Sequence, residues 1–314
     1  MRFALSTNWN NARLDDGAAI ADEAIALGFD ALELGFRTMP EQLLGFKSRL
    51  DQIPVDSVHA YCPVPIGAPS GHPELHQLAH HDEEERALAR LLLKKTIECA
   101  VDLGAKVVVT HAGYADLDGL FVNLDSSVLR RLAKGKDDKP DVTRPAYVKH
   151  LANAHVRRKK RGRKLLEVFR RELDSVIPDL EKAHLTLALE NLPYYEGFPA
   201  EWELPRIVSE FRGAPIRGWF DTGHDRVREM HGWRGEVKVS DFGEYAKSFF
   251  AGMHLNDVVD FNDDHFAPGD GKVDFAALAD FARNVRHVVF EPSQAVDEDS
   301  LRRSVAHIRS LWGE

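Results

Sequence analysis

The chain has 314 residues, 44% hydrophobic and 29% charged, with a formal net charge of −9. This is apolar material for a sizeable core, and the acidic balance argues against general binding to nucleic acid or anionic membranes, which need a dominant positive field. Two cysteines are too few for a disulfide framework, and no apolar run reaches the roughly 18–20 residues of a membrane span, so a soluble protein of a reducing, cytoplasmic compartment is expected.

The opening stretch MRFALSTNWNN lacks the long apolar core of a signal peptide and reads as a first strand over residues 2–7. DGAAIADEAIALG follows as a helical pattern, with Gly28 as its stop. Strands are expected next over 31–36, 55–62 and 106–113. Between the last two, DEEERALARLLLKKTIECAVDLG begins on acids and ends at Gly104, as the helix dipole and a left-handed cap prefer. Four more strands are expected over 185–191, 216–223, 250–257 and 287–293, with DFAALADFAR and DEDSLRRSVAHIRSLW as later helices. Cys62 falls on the third strand and Cys99 on an apolar helix face, both read as buried free thiols. Eight short strands alternating with helices predict an α/β chain of parallel βα units that closes into a (β/α)8 TIM barrel, a single domain over 1–314. An open doubly wound sheet is the competing fold, but no Gly-rich phosphate loop follows the first strand to support it.

One stretch breaks the rhythm. Residues 114–165 form a long insert after strand four, and seven of the eight residues from Arg157 to Lys164 are basic. Read plainly, this is a solvated helix or arm; read functionally, it is a cover over the barrel mouth that attracts an anionic substrate.

In a barrel of this kind, functional side chains stand at the C-terminal ends of strands and in the loops that follow. His59 and His111 lie near the ends of strands three and four, and Glu190 ends strand five. Asp221 and His224 close strand six as FDTGH, and His254 is on strand seven. A polar run with Asp257, Asp263, Asp264 and His265 follows it, and Glu291 ends strand eight. An unpaired carboxylate after an apolar run costs several kcal/mol, roughly, unless a cation or strong donors receive it. Glu190 shares parity with Ala188 and Thr186, opposite to Leu185, Leu187 and Leu189, so small residues toward the axis and leucines toward the helices would put its carboxylate inside the mouth.

A His/carboxylate set without thiolates suits Zn, Mn, Fe or Co better than Ca. Glu190, Asp221, His254 and Glu291, from four consecutive strands, suffice for one divalent ion. His59, His111, His224, Asp263 and His265 exceed what one ion needs and suggest a second or a third.

These motifs, ALEN, FDTGH, MHLND, a DxH followed by PGDGKVDF, and FEPS, resemble in type and order those of the xylose isomerase-like TIM-barrel superfamily. That group (AP endonuclease family 2) holds sugar isomerases and epimerases and the endonuclease-IV-type AP endonucleases. The resemblance covers nearly the whole barrel and leaves out only the insert. It implies that Glu190, Asp221, His254 and Glu291 form the metal core shared by epimerases and endonucleases. It further implies that His59, His111, His224, Asp263 and His265 fill the extra positions of the endonuclease-IV branch, with Gly269 and Gly271 at the matching offsets. The lysine-bearing motif of true xylose isomerases is not recognised here, nor are loops that would wedge into DNA.

Two activities follow as expectations. In the first, a sugar or sugar-phosphate isomerase/epimerase, Glu190 and Glu291 exchange a carbon-bound proton through a metal-stabilised enediolate while His224 steadies a substrate hydroxyl. In the second, a multi-metal phosphoesterase acts on a small phosphorylated substrate. The missing DNA features tilt the sequence toward the isomerase; a degenerate barrel that only binds a sugar is a third, weaker reading. Glu33, Asn191, Asn256 and Tyr61 are candidate substrate contacts, the first three also as supports for ligands and Tyr61 equally as a packed strand tyrosine. His72, His76, His80 and His81 read as surface or lid residues. The expected partner is a small sugar or phosphosugar, not a nucleic acid or a membrane; a homodimer is compatible with the barrel.

Overall fold

Each of the eight expected apolar runs forms a strand: β1 (Phe3–Ser6), β2 (Ala31–Leu34), β3 (Val55–His59), β4 (Val107–Thr110), β5 (Thr186–Glu190), β6 (Ile216–Asp221), β7 (Phe250–Leu255) and β8 (His287–Phe290). This computed structural model describes residues 1–68, 70–115, 124–135, 140–235 and 238–313. All pairs among these eight strands are parallel, neighbours follow chain order, and β1 pairs with both β2 and β8, which closes the barrel; Gly113–Tyr114 and Gly197–Phe198 form a separate antiparallel pair.

Strand parity builds two cores. Ala4, Ala31, Val107, Val109, Ala188, Trp219 and Val289 fill the barrel axis, where small and branched side chains fit around one large ring. Leu185, Leu187 and Leu189 point the other way, into the larger core between sheet and helices. Glu190 thus continues the inward row of Ala188 and emerges at the mouth.

The helix ends follow local chemistry. Asp16 and Asp82 accept backbone N–H groups at the starts of the helices Gly17–Ala26 and Glu83–Leu103, and Gly28 and Gly104 take the left-handed conformations (φ 85° and 75°) that end these stretches. Asp297 does the same for the closing helix Glu298–Trp312. The pattern DFAALADFAR is shorter than expected: 275–278 form turns, and only Ala279–Asn284 is α-helical. Residues expected to extend β3 to 62 lie beyond it, since the ladder with β4 ends at His59. Cys62 and Cys99 are buried free thiols.

The basic block of the insert is helical, one of the two forms its plain reading allows. It belongs to a 39-residue helix, Pro145–Ala183, that runs on into the barrel's own packing through Leu165, Phe169, Leu173 and Leu180. Arg158 is buried and turned inward, 2.7 Å from Glu203 Oε2 and donating to the Gly197 carbonyl at 3.0 Å. No residue of the 155–164 block lines the mouth cavity, so the expectation of a basic cover is corrected. The helical periodicity of 145–183 keeps its apolar stripe on the barrel and its lysines in solvent. Residues 116–123 and 136–139 of the insert lie outside the described residues.

Candidate metal centre

The C-terminal ends of the strands surround a cavity of about 470 Å³. His59, His111, Glu190, His224, Asp263, His265 and Glu291 line it, and Asp221 and His254 lie fully buried beneath. All nine expected donors therefore meet at one rim. They fall into three groups, each with its donor atoms within 4.8 Å of one another: His59, His111 and Glu190; Glu190, Asp221, His254 and Glu291; and His224, Asp263 and His265.

Glu190 belongs to two of these groups. Its Oε2 lies 3.0 Å from His59 Nε2 and 3.2 Å from His111 Nε2, and its Oε1 lies 3.1 Å from His254 Nδ1. On the same side of His254, Nδ1 is 3.2 Å from Glu291 Oε2 and 3.7 Å from Asp221 Oδ2. In the third group Asp263 divides its oxygens, Oδ2 at 3.4 Å from His224 Nε2 and Oδ1 at 3.3 Å from His265 Nε2.

The five imidazoles share one arrangement. Each hands one ring nitrogen to an acceptor and turns the other toward the carboxylates. The acceptors are the Ala60 carbonyl for His59 (2.9 Å), Glu74 for His111 (3.1 Å), the Asn191 carbonyl for His224 (2.7 Å), Glu33 for His254 (2.9 Å) and the Glu291 carbonyl for His265 (2.9 Å). A metal-ligating histidine is held in this way: the outer bond fixes tautomer and ring orientation and leaves an unprotonated nitrogen for the ion. One such ring is ordinary; five converging on four carboxylates match a donor set for Zn, Mn, Fe or Co, and the residues fit divalent ions of that class.

Charge supports the same conclusion. Burial would raise Glu190, but His254 and His111 hold it well below the usual carboxylate range. Against its own burial, Asp263 is held well down by His265 and His224. Burial disfavours protonated imidazole, yet Glu190 and Glu74 raise His111 to about 10, and Asp221, Asp263 and Glu190 raise His224 to about 9. Burial is likewise overcome at His254, by Glu291, Glu33 and Glu190, and at His265, by Asp263 and Glu291. Burial wins at Asp221, whose carboxyl is pushed up. Four clustered carboxylates need positive charge, which protons on the imidazoles supply until cations take their place.

Local structure explains the loop after β7. Asp257 is not turned to the donor groups; its two oxygens accept the backbone N–H groups of Val258, Gly269, Gly271 and Val273 at 2.8–3.0 Å. Gly271 is required because a Cβ there would sit 2.4 Å from Asp257 Oδ1 and 2.5 Å from the Val258 carbonyl. His265 adopts the left-handed region (φ 48°), unusual for a residue with a Cβ, and is pinned there when Ser293 N–H donates to its carbonyl at 2.7 Å. Asp264 lines the cavity outside the three groups.

The four candidate substrate contacts take other places. Glu33 is fully buried between His254 and Ser57. Asn191 and Asn256 brace Asp221: Asn191 Oδ1 accepts its N–H at 2.8 Å, and Asn256 Nδ2 donates to its Oδ2 at 2.6 Å. Tyr61 is packed, its hydroxyl donating to the His76 carbonyl at 2.7 Å and its ring against a different cavity. None of the four lines the mouth. His72 does, as an exposed edge residue, while His76 pairs with Glu85. Sequence reasoning missed Glu74, the partner of His111, and the rim residues Asn8, Arg37 and Gln294. Their loops carry no periodic signal that would have marked them.

The profile of the xylose isomerase-like TIM barrel matches residues 21–311. The chain belongs to this family. The barrel also superimposes on 3-keto-D-glucoside 4-epimerase YcjR from E. coli in its apo form, at 16% identity with a TM-score of 0.66 over 99% of both chains. D-psicose 3-epimerase from Clostridium cellulolyticum H10 with D-tagatose is 14% identical, with a TM-score of 0.63 over 99% of both. The TTHB071 protein from Thermus thermophilus, soaked with ZnCl2, is 20% identical, with a TM-score of 0.57 over 99% of this chain and 97% of that one. Identities this low carry the fold alone. No curated protein sequence matches this chain.

Proposed function

We propose that this family member is a multi-ion metalloenzyme that hydrolyses a phosphoester of a small, sugar-like substrate. The observation that carries the proposal is the division of Glu190 between two donor groups, with a third group beside them. Bound divalent ions would supply Lewis-acid stabilisation of phosphoryl oxygens and activation of water. The chain's own residues supply the rest. With its oxygens turned to two donor groups, Glu190 would help hold ions in both and would be poorly suited to carry a proton to and from carbon. The cavity volume of about 470 Å³ suits a small molecule and not a duplex, which agrees with the acidic surface. Arg37, exposed on the rim, is placed to receive an anionic group of the substrate.

A second reading is isomerase/epimerase activity. It is favoured by the completeness of the group Glu190, Asp221, His254 and Glu291 on its own, and by the epimerase names of several structural neighbours. In that case Glu190 and Glu291 would exchange the carbon-bound proton and His224 would steady a hydroxyl. Ion content of protein purified without chelators, paired with two assays, separates the readings. Two or three ions per chain with release of phenol from aryl phosphate esters supports the hydrolase. One ion per chain, with solvent deuterium entering a ketohexose and stopping in Glu190→Gln, rejects it in favour of the epimerase.

A further inference from the structure

We infer that the opposite, N-terminal face of the barrel carries a second binding site, for a small multiply charged oxyanion of the phosphate or sulfate type. A cavity of about 470 Å³ opens there, lined by Lys106, Arg217, Lys247, Arg286 and His287. The topology assembles it from the starts of four strands: Lys106 precedes β4, Arg217 is the second residue of β6, Lys247 lies just ahead of β7 and Arg286 just ahead of β8.

Two independent observations point to a ligand. Arginines elsewhere in this acidic chain are mostly matched with carboxylates, as in Arg158 with Glu203, Arg228 with Glu201 and Arg234 with Asp225. Lys106, Arg217, Lys247 and Arg286 have no carboxylate within 4.0 Å among the described residues; Arg217 donates only to the carbonyls of Ala214 and Ile216. Four like charges around one concavity focus a positive potential that an anion relieves. The second observation is His287, buried at 6% exposure, which lines the same cavity with its Nδ1 lacking a hydrogen-bond partner among the described residues. Asp56, which does not line the cavity, gives its Oδ1 to Arg2 at 2.9 Å and stands with Oδ2 at 3.5 Å from that nitrogen. An oxyanion accepting from Arg217 and Arg286, with Thr186 and Asn284 as neutral donors, would satisfy this constellation. The inference is independent of the chemistry at the mouth, on the other end of the barrel.

The test is calorimetric titration of inorganic sulfate into the full chain as purified, with chloride holding ionic strength constant. Sulfate is a weak metal ligand and is not hydrolysed. We expect binding that weakens at least tenfold in Arg286→Glu and in Lys247→Glu, and that is unchanged in the charge-matched control Lys160→Glu, an exposed residue of the 145–183 helix that lines neither cavity. Both substituted side chains are exposed and make no hydrogen bond among the described residues, and either variant carries the test if the other fails to fold. Absence of sulfate binding, equal binding in the folded variants, or an equal loss in Lys160→Glu overturns the site.

Discussion

Glu33 and His254 meet at 2.9 Å in a fully buried contact between β2 and β7, across the width of the barrel. Glu33 accepts the Nε2 proton, which leaves His254 Nδ1 facing Glu190, Asp221 and Glu291. Ser57 donates to the other Glu33 oxygen at 2.8 Å, so the carboxylate is itself oriented. Glu33→Gln should therefore lower affinity for the ion beside His254 by roughly 10–100-fold while the barrel stays folded. Competition with a chromophoric chelator measures this; unchanged affinity would remove Glu33 from its orienting role.

Glu190 serves two groups, and its loss should be felt in both. Glu190→Ala is expected to lower ion content by more than one ion per chain, whereas His265→Ala should affect the third group alone. Elemental analysis after dialysis gives the numbers directly. A loss of one ion or fewer in Glu190→Ala would mean that the two groups do not share it.

Ion uptake should release protons. His111 and His224, raised to about 10 and about 9, are imidazolium at neutral pH in the ion-free protein, and only the neutral ring can bind a metal. Their folded-state values exceed the unfolded value near 6.5, so the stability they contribute is complete below that pH and is lost as pH rises through 9–10. The chelated protein should therefore melt at progressively lower temperature between pH 7 and 10. Calorimetry in buffers of different ionisation enthalpy should show proton release on metal binding near pH 7. A flat melting profile without released protons would contradict the assignment.

Asp257 holds the loop behind β7 through four backbone N–H groups. Removing the carboxylate strands these donors, so Asp257→Ala should cost roughly 3 kcal/mol or more in denaturant unfolding and speed amide exchange at Gly269 and Gly271. Because the same loop carries Asp263 and His265, ion binding in the third group should weaken as well. Wild-type exchange rates at the two glycines would refute the anchor.

Arg37 lines the mouth without belonging to any donor group. On the proposed function, Arg37→Ala should raise KM for phosphorylated substrates about tenfold or more, with ion content unchanged. Steady-state kinetics beside elemental analysis decides the point, and an unaltered KM would place the substrate's anionic group elsewhere.

Much of this architecture is local, and local features can be read along the chain. The strands show as short apolar runs, the helices as acid-capped and glycine-ended amphipathic stretches, and the inward turn of Glu190 as the alternation of Ala188 with its leucine neighbours. Nine donors could be named because strand ends and family motifs mark them. What surrounds those donors could not be read. Glu33 and His254 are separated by 221 residues, Glu74 and His111 by 37, and nothing in either segment signals the pairing. Local periodicity leaves the basic block open between a solvated helix or arm and a cover over the mouth; packing of the 145–183 stripe decides for a barrel helix with its lysines in solvent. Asn191 and Asn256, read as substrate contacts or as supports for ligands, brace Asp221, and Tyr61 packs with its hydroxyl on the His76 carbonyl. The sequence by itself determined which residues carry charge and which face of each strand bears them. Which charges meet, in three groups with one shared carboxylate, was decided only by tertiary structure, because closing the barrel sets distances between strands that are remote in the chain.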